Sequence, residues 1–118
     1  MMKIKIALAQ FNTKLGDVKA NLGKHLDLID TAHQQGSDLI IFPELSLTGY
    51  ALQDLAVDTA IRPHQDDPVF NELLAASQNL DLMVGFVHED RRHRFYIASA
   101  YLSGGKIIHI HNKIYLPT

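Results

Sequence analysis

The sequence has 118 residues, enough for one domain, and 47% of them are hydrophobic, which excludes an intrinsically disordered chain. Eleven basic and thirteen acidic side chains give a formal net charge of −2, so composition offers no electrostatic basis for binding nucleic acid. The absence of cysteine excludes disulfides and zinc–thiolate sites within these residues. No apolar run reaches membrane-spanning length, and the start lacks the apolar stretch of a signal peptide, so a cytoplasmic protein is expected.

The first part of the chain has the pattern of a strand, a helix and a second strand. Apolar residues alternate with others from about residue 3 to 10, which is strand periodicity. Asp17 is a candidate helix N-cap and Gly36 a candidate left-handed residue at the helix end. The residues that recur between them at helical spacing are Val18, Leu22, Leu26, Ile29 and Ala32. The apolar run 39–42 then predicts a strand buried on both faces, which completes a parallel βαβ unit.

The second part predicts further helices followed by antiparallel strands. Residues 52–61 could form a short helix, and Asp67-Pro68 has the pattern of a helix start. The apolar stripe of that second main amphipathic helix comprises Val69, Phe70, Leu73, Leu74 and Ser77. Strands are predicted over 82–87, 95–102 and 107–115, with a hairpin turn at 103–106. The predicted fold is therefore α/β, with a mixed sheet that begins parallel and ends antiparallel.

Two amphipathic helices can cover only one face of such a sheet. The other face would expose more apolar surface than soluble monomers usually tolerate. We expect another copy, another chain or downstream sequence to cover it. A non-catalytic interaction module that pairs through this exposed face is accordingly one hypothesis for function.

Glu44 stands at a position where chemistry is common. Pro43 ends the buried strand because proline donates no ladder hydrogen bond, so Glu44 follows at the strand's carboxyl end, where α/β sheets usually bind ligands. Apolar Leu45 and Leu47 would desolvate its carboxylate and raise its pKa, as a general base near neutral pH requires. The alternative from the local pattern is a glutamate that points to water.

Two motifs resemble those of the nitrilase (carbon–nitrogen hydrolase) superfamily. The segment 42–50, Phe-Pro-Glu-Leu-Ser-Leu-Thr-Gly-Tyr, resembles the glutamate motif, and 111–117, His-Asn-Lys-Ile-Tyr-Leu-Pro, resembles the lysine motif. Residues 6–12 and 95–100 resemble its first strand and the hairpin before the lysine. The resemblance implies an αββα sandwich with a Glu-Lys-Cys centre and no cofactor. In it Glu44 would be the general base and Lys113 would stabilise the tetrahedral intermediate.

The third member of that centre is missing from the sequence. The resemblance places the nucleophilic cysteine, and a second glutamate, downstream of the lysine motif. Ser46, Thr48 and Ser99 are not at the nucleophile position, and hydroxyls are poor nucleophiles without a dedicated base. We therefore expect residues 1–118 to be a single incomplete nitrilase-like domain, which by itself does not turn over substrate.

Within the superfamily, residues 47–55 resemble the segment after the glutamate in glutaminase domains of glutamine-dependent NAD synthetases. The implied substrate is a small amide or nitrile, with the glutamine amide as one possibility and a stand-alone amidase as the competing assignment. The implied partners are further copies of the chain, in a homo-oligomer, or a missing C-terminal part.

Two other clusters of polar residues favour simpler interpretations. His109 and His111 lie on one face of a predicted strand with Lys113 and could ligate a metal, but no further ligand follows at suitable spacing, so no metal is predicted. The histidines could instead line the site entrance. The basic run 91–94 follows two acidic residues and lacks interleaved aromatics, which favours a solvated hairpin loop over a nucleic-acid site.

Overall fold

One mixed sheet organises the chain. The computed structural model describes residues 3–49 and 58–117. The elements in these residues are β1 (Ile6–Leu8), α1 (Val18–Gln34), β2 (Leu39–Ile41), α2 (Pro68–Ala76), β3 (Asp81–Glu89), β4 (Phe95–Ser103) and β5 (Lys106–Leu116). The strands lie in the order β1-β2-β3-β4-β5, parallel from β1 to β3 and antiparallel from β3 to β5. The predicted α/β fold, parallel first and antiparallel last, is confirmed.

Both main helices begin at the residues that their caps predict. Asp17 accepts a hydrogen bond from the Ala20 N–H at 3.0 Å, which satisfies a free donor of the first turn of α1. Asp67 accepts two such bonds at the start of α2, where Pro68 takes the first helical position. Gly36 follows α1 with φ of 77°, the left-handed conformation expected after a helix end.

In the described residues the helices bury one face of the sheet, and the opposite face is covered only in part, by a small apolar cluster around Leu45 and Val87. Alternation along β1 turns Ala7 toward the core, whereas Ile6 is 51% and Leu8 75% exposed. The buried residues of the core include Leu22, Ile29, Ile40, Phe70, Leu73, Leu82, Val84, Phe86, Ala100 and Leu102. Part of the opposite face is therefore exposed, as expected, and its pairing with another chain stays a prediction.

Three expectations about the first strands and the short helix need correction. The strand predicted over 3–10 spans only Ile6–Leu8, because its neighbour β2 is itself three residues long. The run 39–42 is not buried on both faces: Leu39 and Ile41 are half-buried, since their side of the sheet is the uncovered one.

Residues 52–57 of the predicted short helix lie outside the described residues, and Ile61 is not helical. β3 extends past the end of β2, and Ile61 pairs with that free edge, bridging in parallel to His88.

The basic run forms the exposed loop between β3 and β4, as predicted. Asp90 accepts hydrogen bonds from two backbone N–H groups of the loop and from the Arg94 side chain, at 2.8–2.9 Å. Glu89 accepts from Arg62 and His93 at 2.8 Å, and these two bonds lower the pKa of its carboxyl. Two residues of the run, His93 and Arg94, are thus paired with acidic neighbours.

None of the described helices has both the length and the apolar composition needed to cross a membrane.

Candidate active site

Glu44 lies in a tight turn at the carboxyl end of β2. The Phe42 N–H still bonds to β3, through Met83 O at 2.9 Å, and Pro43 then ends the ladder. The turn closes through Ser46 N–H to Pro43 O at 3.1 Å. Leu45 adopts φ of 53°, a left-handed conformation that a leucine rarely takes. The backbone therefore leaves the strand abruptly. Glu44 follows at the carboxyl end of β2, where the sequence predicted it.

The turn packs directly on Gly85, in the middle of β3. A Cβ at residue 85 would lie 2.5 Å from Leu45 N and 2.8 Å from Pro43 O, closer than real Cβ atoms approach. The Leu47 N–H donates to Gly85 O at 3.1 Å, which ties the turn to the strand. Gly85 thus allows a backbone approach that a larger residue would block.

Lys113 of β5 lies near Glu44, at a β-bulge in its strand. Ile97 of β4 pairs with Ile114, but the next residue, Ala98, pairs with Asn112, so Lys113 is passed over by the register. Such a β-bulge bends a strand and changes the direction of a side chain. Here it accompanies a lysine that turns onto the uncovered face of the sheet.

The two predicted site residues meet. Lys113 Nζ donates a hydrogen bond to Glu44 Oε2, and the side chains are 59% and 26% exposed. They share a cavity of about 180 Å³. The cavity is lined by Phe42, Pro43, Glu44, Met83, Val84, Gly85, Ile97, Ala98, Ser99 and Lys113. The two side chains therefore contact each other at the cavity, while Lys113 keeps more than half of its side chain exposed.

The pair places a lysine ammonium group against a glutamate carboxylate at the cavity. Glu44 also lines a second cavity of about 460 Å³, bounded by residues of the loop after β1 and by the turn itself. Glu44 therefore lies between two cavities.

The three hydroxyl groups that the sequence analysis rejected as nucleophiles lie in different surroundings. Ser46 is buried and bonded to His25, and Thr48 bonds to the Gly49 carbonyl at 2.9 Å. Ser99 lines the cavity, and its register partner is His111. His111 and His109 are exposed and are not among the residues lining that cavity, so they do not form its wall as the sequence suggested. The described residues contain no group of three or more His, Cys, Asp or Glu side chains that could hold a metal.

Comparison with known proteins identifies the family. The family model described as carbon–nitrogen hydrolase matches residues 5–118, nearly the whole chain. The chain belongs to the carbon–nitrogen hydrolase family. The resemblance seen in its glutamate and lysine motifs is confirmed.

Relatives of this hydrolase-family chain include glutamine-dependent NAD(+) synthetases. Identity is 32% over 117 residues with that of Acinetobacter baylyi and 34% over 119 residues with that of Thermotoga maritima, each covering 99% of the chain. The chain spans only about a fifth of these relatives, 21% and 20% of their lengths.

Solved structures agree in fold. The glutamine-dependent NAD+ synthetase of Acinetobacter baumannii superposes with a TM-score of 0.76 at 31% identity, covering 98% of this chain and 22% of that one. An amidase from Nesterenkonia sp. superposes with a TM-score of 0.78 at 21% identity, covering 93% of this chain and 42% of that one, a likeness of fold alone. The expected nitrilase-like fold is thereby shown.

Sequence reasoning missed two polar residues on the buried face of α1 in this hydrolase-family chain. Asn21 and His25 are both 0% exposed, whereas Val18 and Leu26 of the predicted apolar stripe are only partly buried. Asn21 donates to Leu47 O at 2.9 Å, and His25 bonds to the Ser46 hydroxyl at 2.8 Å. The helix therefore holds the Glu44 turn by polar contacts. Their i, i+4 spacing next to the stripe was the available signal.

Burial of His25 predicts a dependence of stability on pH. Desolvation lowers the pKa of His25 from 6.5 to about 4, against a smaller opposing effect of its bond to Asn21. As pH falls, His25 therefore binds a proton near pH 6.5 in the unfolded chain but only near pH 4 in the folded chain. We expect the free energy of unfolding to fall by about 3 kcal/mol as pH is lowered through this window, and to be fully retained above it.

Urea denaturation at a series of pH values measures this effect. The variant His25→Gln should be less stable at neutral pH but should lose most of the decline between pH 6.5 and 4. His33→Gln, at an exposed position of the same helix, is the control. An unchanged decline in His25→Gln would show that other groups cause it.

Proposed function

We propose that this chain supplies the general base, Glu44, and the oxyanion-stabilising cation, Lys113, of a carbon–nitrogen hydrolase that acts on the amide of glutamine. The observation that carries the proposal is the contact between Lys113 Nζ and Glu44 Oε2 at the cavity. The two residues are separated by 69 positions in the sequence, and each stands in a motif that resembles the family's. A chance pairing of surface charges does not account for both facts.

The chemistry assigns one task to each residue. A cysteine thiol, which these 118 residues do not contain, would transfer its proton to Glu44 as the sulfur attacks the amide carbon. The negative charge that develops on the amide oxygen would be stabilised by the Lys113 ammonium, already fixed beside the reacting groups. Glu44 then returns the proton to the departing nitrogen, which leaves as ammonia. It afterwards takes a proton from the water that hydrolyses the thioester and gives it to the departing cysteine sulfur.

It follows that residues 1–118 act as an incomplete nitrilase-like domain whose nucleophile must come from other sequence. By itself the chain is proposed to be inactive, because neither a carboxylate nor an ammonium group replaces a thiolate in this reaction. Glutamine is the proposed substrate, since the relatives above 30% identity are named as glutamine-dependent enzymes and the chain matches them over 99% of its own length.

A joined protein tests the proposal. Residues 1–118 are fused to the part of the Acinetobacter baylyi relative that follows its matched segment, and ammonia release from glutamine is measured. Acetamide and acetonitrile are tested in parallel as a simple amide and a simple nitrile. Hydrolysis of glutamine in preference to both is expected. A folded fusion that hydrolyses the simple amide faster than glutamine would contradict the glutamine assignment and favour the amidase.

Replacing Lys113 by Ala in the joined protein should lower kcat by about 10²- to 10³-fold, the usual effect of removing one oxyanion-stabilising group. KM should change little if the lysine acts mainly in the transition state. Lys106→Ala is the matched control, because it removes an exposed lysine from the other end of the same strand. Equal effects of the two substitutions on kcat would contradict the assigned role.

A further inference from the structure

A buried hydrogen-bonded chain links helix α1 to the turn that carries Glu44. His25 and Ser46 are both 0% exposed and lie 2.8 Å apart, from Nε2 to Oγ. His25 Nδ1 is 2.7 Å from the Asn21 carbonyl, and Ser46 Oγ is 3.3 Å from Gly85 N. This series of hydrogen bonds thus runs from α1 through the turn to the middle of β3.

The direction of each bond in this chain follows from chemistry. A carbonyl only accepts, so His25 Nδ1 must carry the proton and donate to Asn21. The Gly85 N–H only donates, so Ser46 Oγ accepts from it and has its own hydrogen left for His25 Nε2. In a neutral imidazole, the form that burial of His25 favours by lowering its pKa, all three bonds form together when the proton is on Nδ1.

The surroundings of His25 fix its ring rigidly. The ring stacks on Phe42 with centroids 4.2 Å apart and meets the edge of Phe11 at 5.2 Å. Its position is therefore set by packing as well as by hydrogen bonds, and Ser46 is held from a fixed point.

The turn itself needs such support. Leu45, which separates Glu44 from Ser46, is held in a left-handed conformation that persists only where surrounding structure enforces it. Without the Ser46 bonds the turn could relax, and the Glu44 carboxylate would move relative to Lys113.

We propose that His25 and Ser46 are positioning residues, a neutral hydrogen-bonded pair that holds the strained turn so that the Glu44 carboxylate meets Lys113 at the cavity. This role in catalysis rests on the proposed function, whereas the positioning itself is a property of the folded chain. Neither residue touches the substrate or the reacting atoms in this proposal.

The first test is the tautomer of His25 in the unmodified, ¹⁵N-labelled 118-residue chain. Long-range ¹H–¹⁵N spectra at pH 7 should show a neutral ring with its proton on Nδ1 and with Nε2 accepting a hydrogen bond. A ring protonated on Nε2, or charged at pH 7, would overturn the proposal, because either state removes the acceptor for the Ser46 hydroxyl.

The second test asks whether the pair controls the geometry of Glu44. Its readout is the change in the Glu44 carboxyl ¹³C resonance caused by the substitution Lys113→Met, which reports their contact. In Ser46→Ala this change should fall to less than half of its value in the unmodified chain. A full response in Ser46→Ala would overturn the positioning role.

Ser77→Ala is the matched control. Ser77 is also a buried serine whose hydroxyl donates one bond, to Leu74 O at 2.7 Å, and accepts one backbone N–H, from Gly105 at 2.9 Å. It lies at the end of α2 and does not line the Glu44 cavity. It should lose comparable stability yet leave the Glu44 response intact; loss of the response in both variants would overturn the proposal. Should Ser46→Ala fail to fold, Ser46→Cys keeps the volume with a weak hydrogen-bonding group and is expected to behave likewise.

These outcomes are distinguishable from failure of the proposed function. The resonances are read in the chain without substrate or nucleophile, so they do not depend on catalysis. If the joined protein hydrolyses no glutamine but Ser46→Ala still uncouples Glu44 from Lys113, the proposed function falls and the positioning role stands.

Discussion

Replacing Glu44 by Gln in the joined protein is expected to lower kcat for glutamine hydrolysis by roughly 10²- to 10⁴-fold, the range associated with loss of a general base. Glutamine keeps the size of the side chain and still offers an oxygen to Lys113. The loss would therefore reflect the missing proton acceptor rather than a rearranged site. Steady-state rates of ammonia release, with KM determined separately, measure the effect.

Glu72→Gln provides the matched control for this substitution. Glu72 is an exposed glutamate on α2, remote from the cavity, so its replacement removes the same charge without touching the site. It should leave kcat unchanged. A Glu44→Gln enzyme with more than half of the normal rate would remove Glu44 from the mechanism.

Replacing Gly85 by Ala is expected to have the largest effect on structure. The new Cβ would meet Leu45 N at 2.5 Å and Pro43 O at 2.8 Å, both backbone atoms that cannot move independently of the turn. Overpacking of this kind costs about 1–3 kcal/mol of stability. Displacement of Glu44 by about 1 Å would further lower the activity of the joined protein, by about 10²-fold.

Gly23→Ala is the control because it makes the same chemical change in an open place. Gly23 lies on the exposed side of α1, where an added Cβ meets nothing within 4 Å. Alanine there should raise stability by about 0.5–1 kcal/mol through its better helix propensity. Urea denaturation of the two variants should shift in opposite directions, and a Gly85→Ala chain as stable as the unmodified one would refute the close-packing argument.

Much of the fold was predictable from local patterns with strong physical causes. Asp17, Asp67 and Pro68 mark helix starts because free N–H groups there need acceptors and proline lacks a donor. Gly36 and the Gly104-Gly105 pair supply the positive φ angles that a helix end and a tight hairpin require. These signals depend on neighbours in sequence, so one sequence suffices to read them.

The elements whose length or type was predicted wrongly all depend on partners that are distant in sequence. The length of β1 is limited by β2, and Ile61 joins β3 because β2 ends early and leaves an edge. Periodicity within a segment carries no information about where its partner stops.

In the candidate site, too, the features with a local sequence signal were predicted and those that depend on distant partners were not. Glu44 was placed correctly because Pro43 ends a strand in a recognisable way, and Lys113 was selected by its motif. The bulge at Lys113 was not predicted, since a regular strand would have placed it by simple alternation with His109 and His111. The buried His25 was missed because a polar residue beside an apolar stripe looks the same whether it faces water or a partner in a distant turn.

The measurement that tests the central claim most directly is ammonia release from glutamine by the 118-residue chain alone and by the joined protein, each in its unmodified form and as the Glu44→Gln variant. The chain alone should release none in either form, and the joined protein should release ammonia only when Glu44 is present. Turnover by the chain alone, or equal turnover by the two joined proteins, would contradict the claim that Glu44 and Lys113 serve a nucleophile supplied from elsewhere.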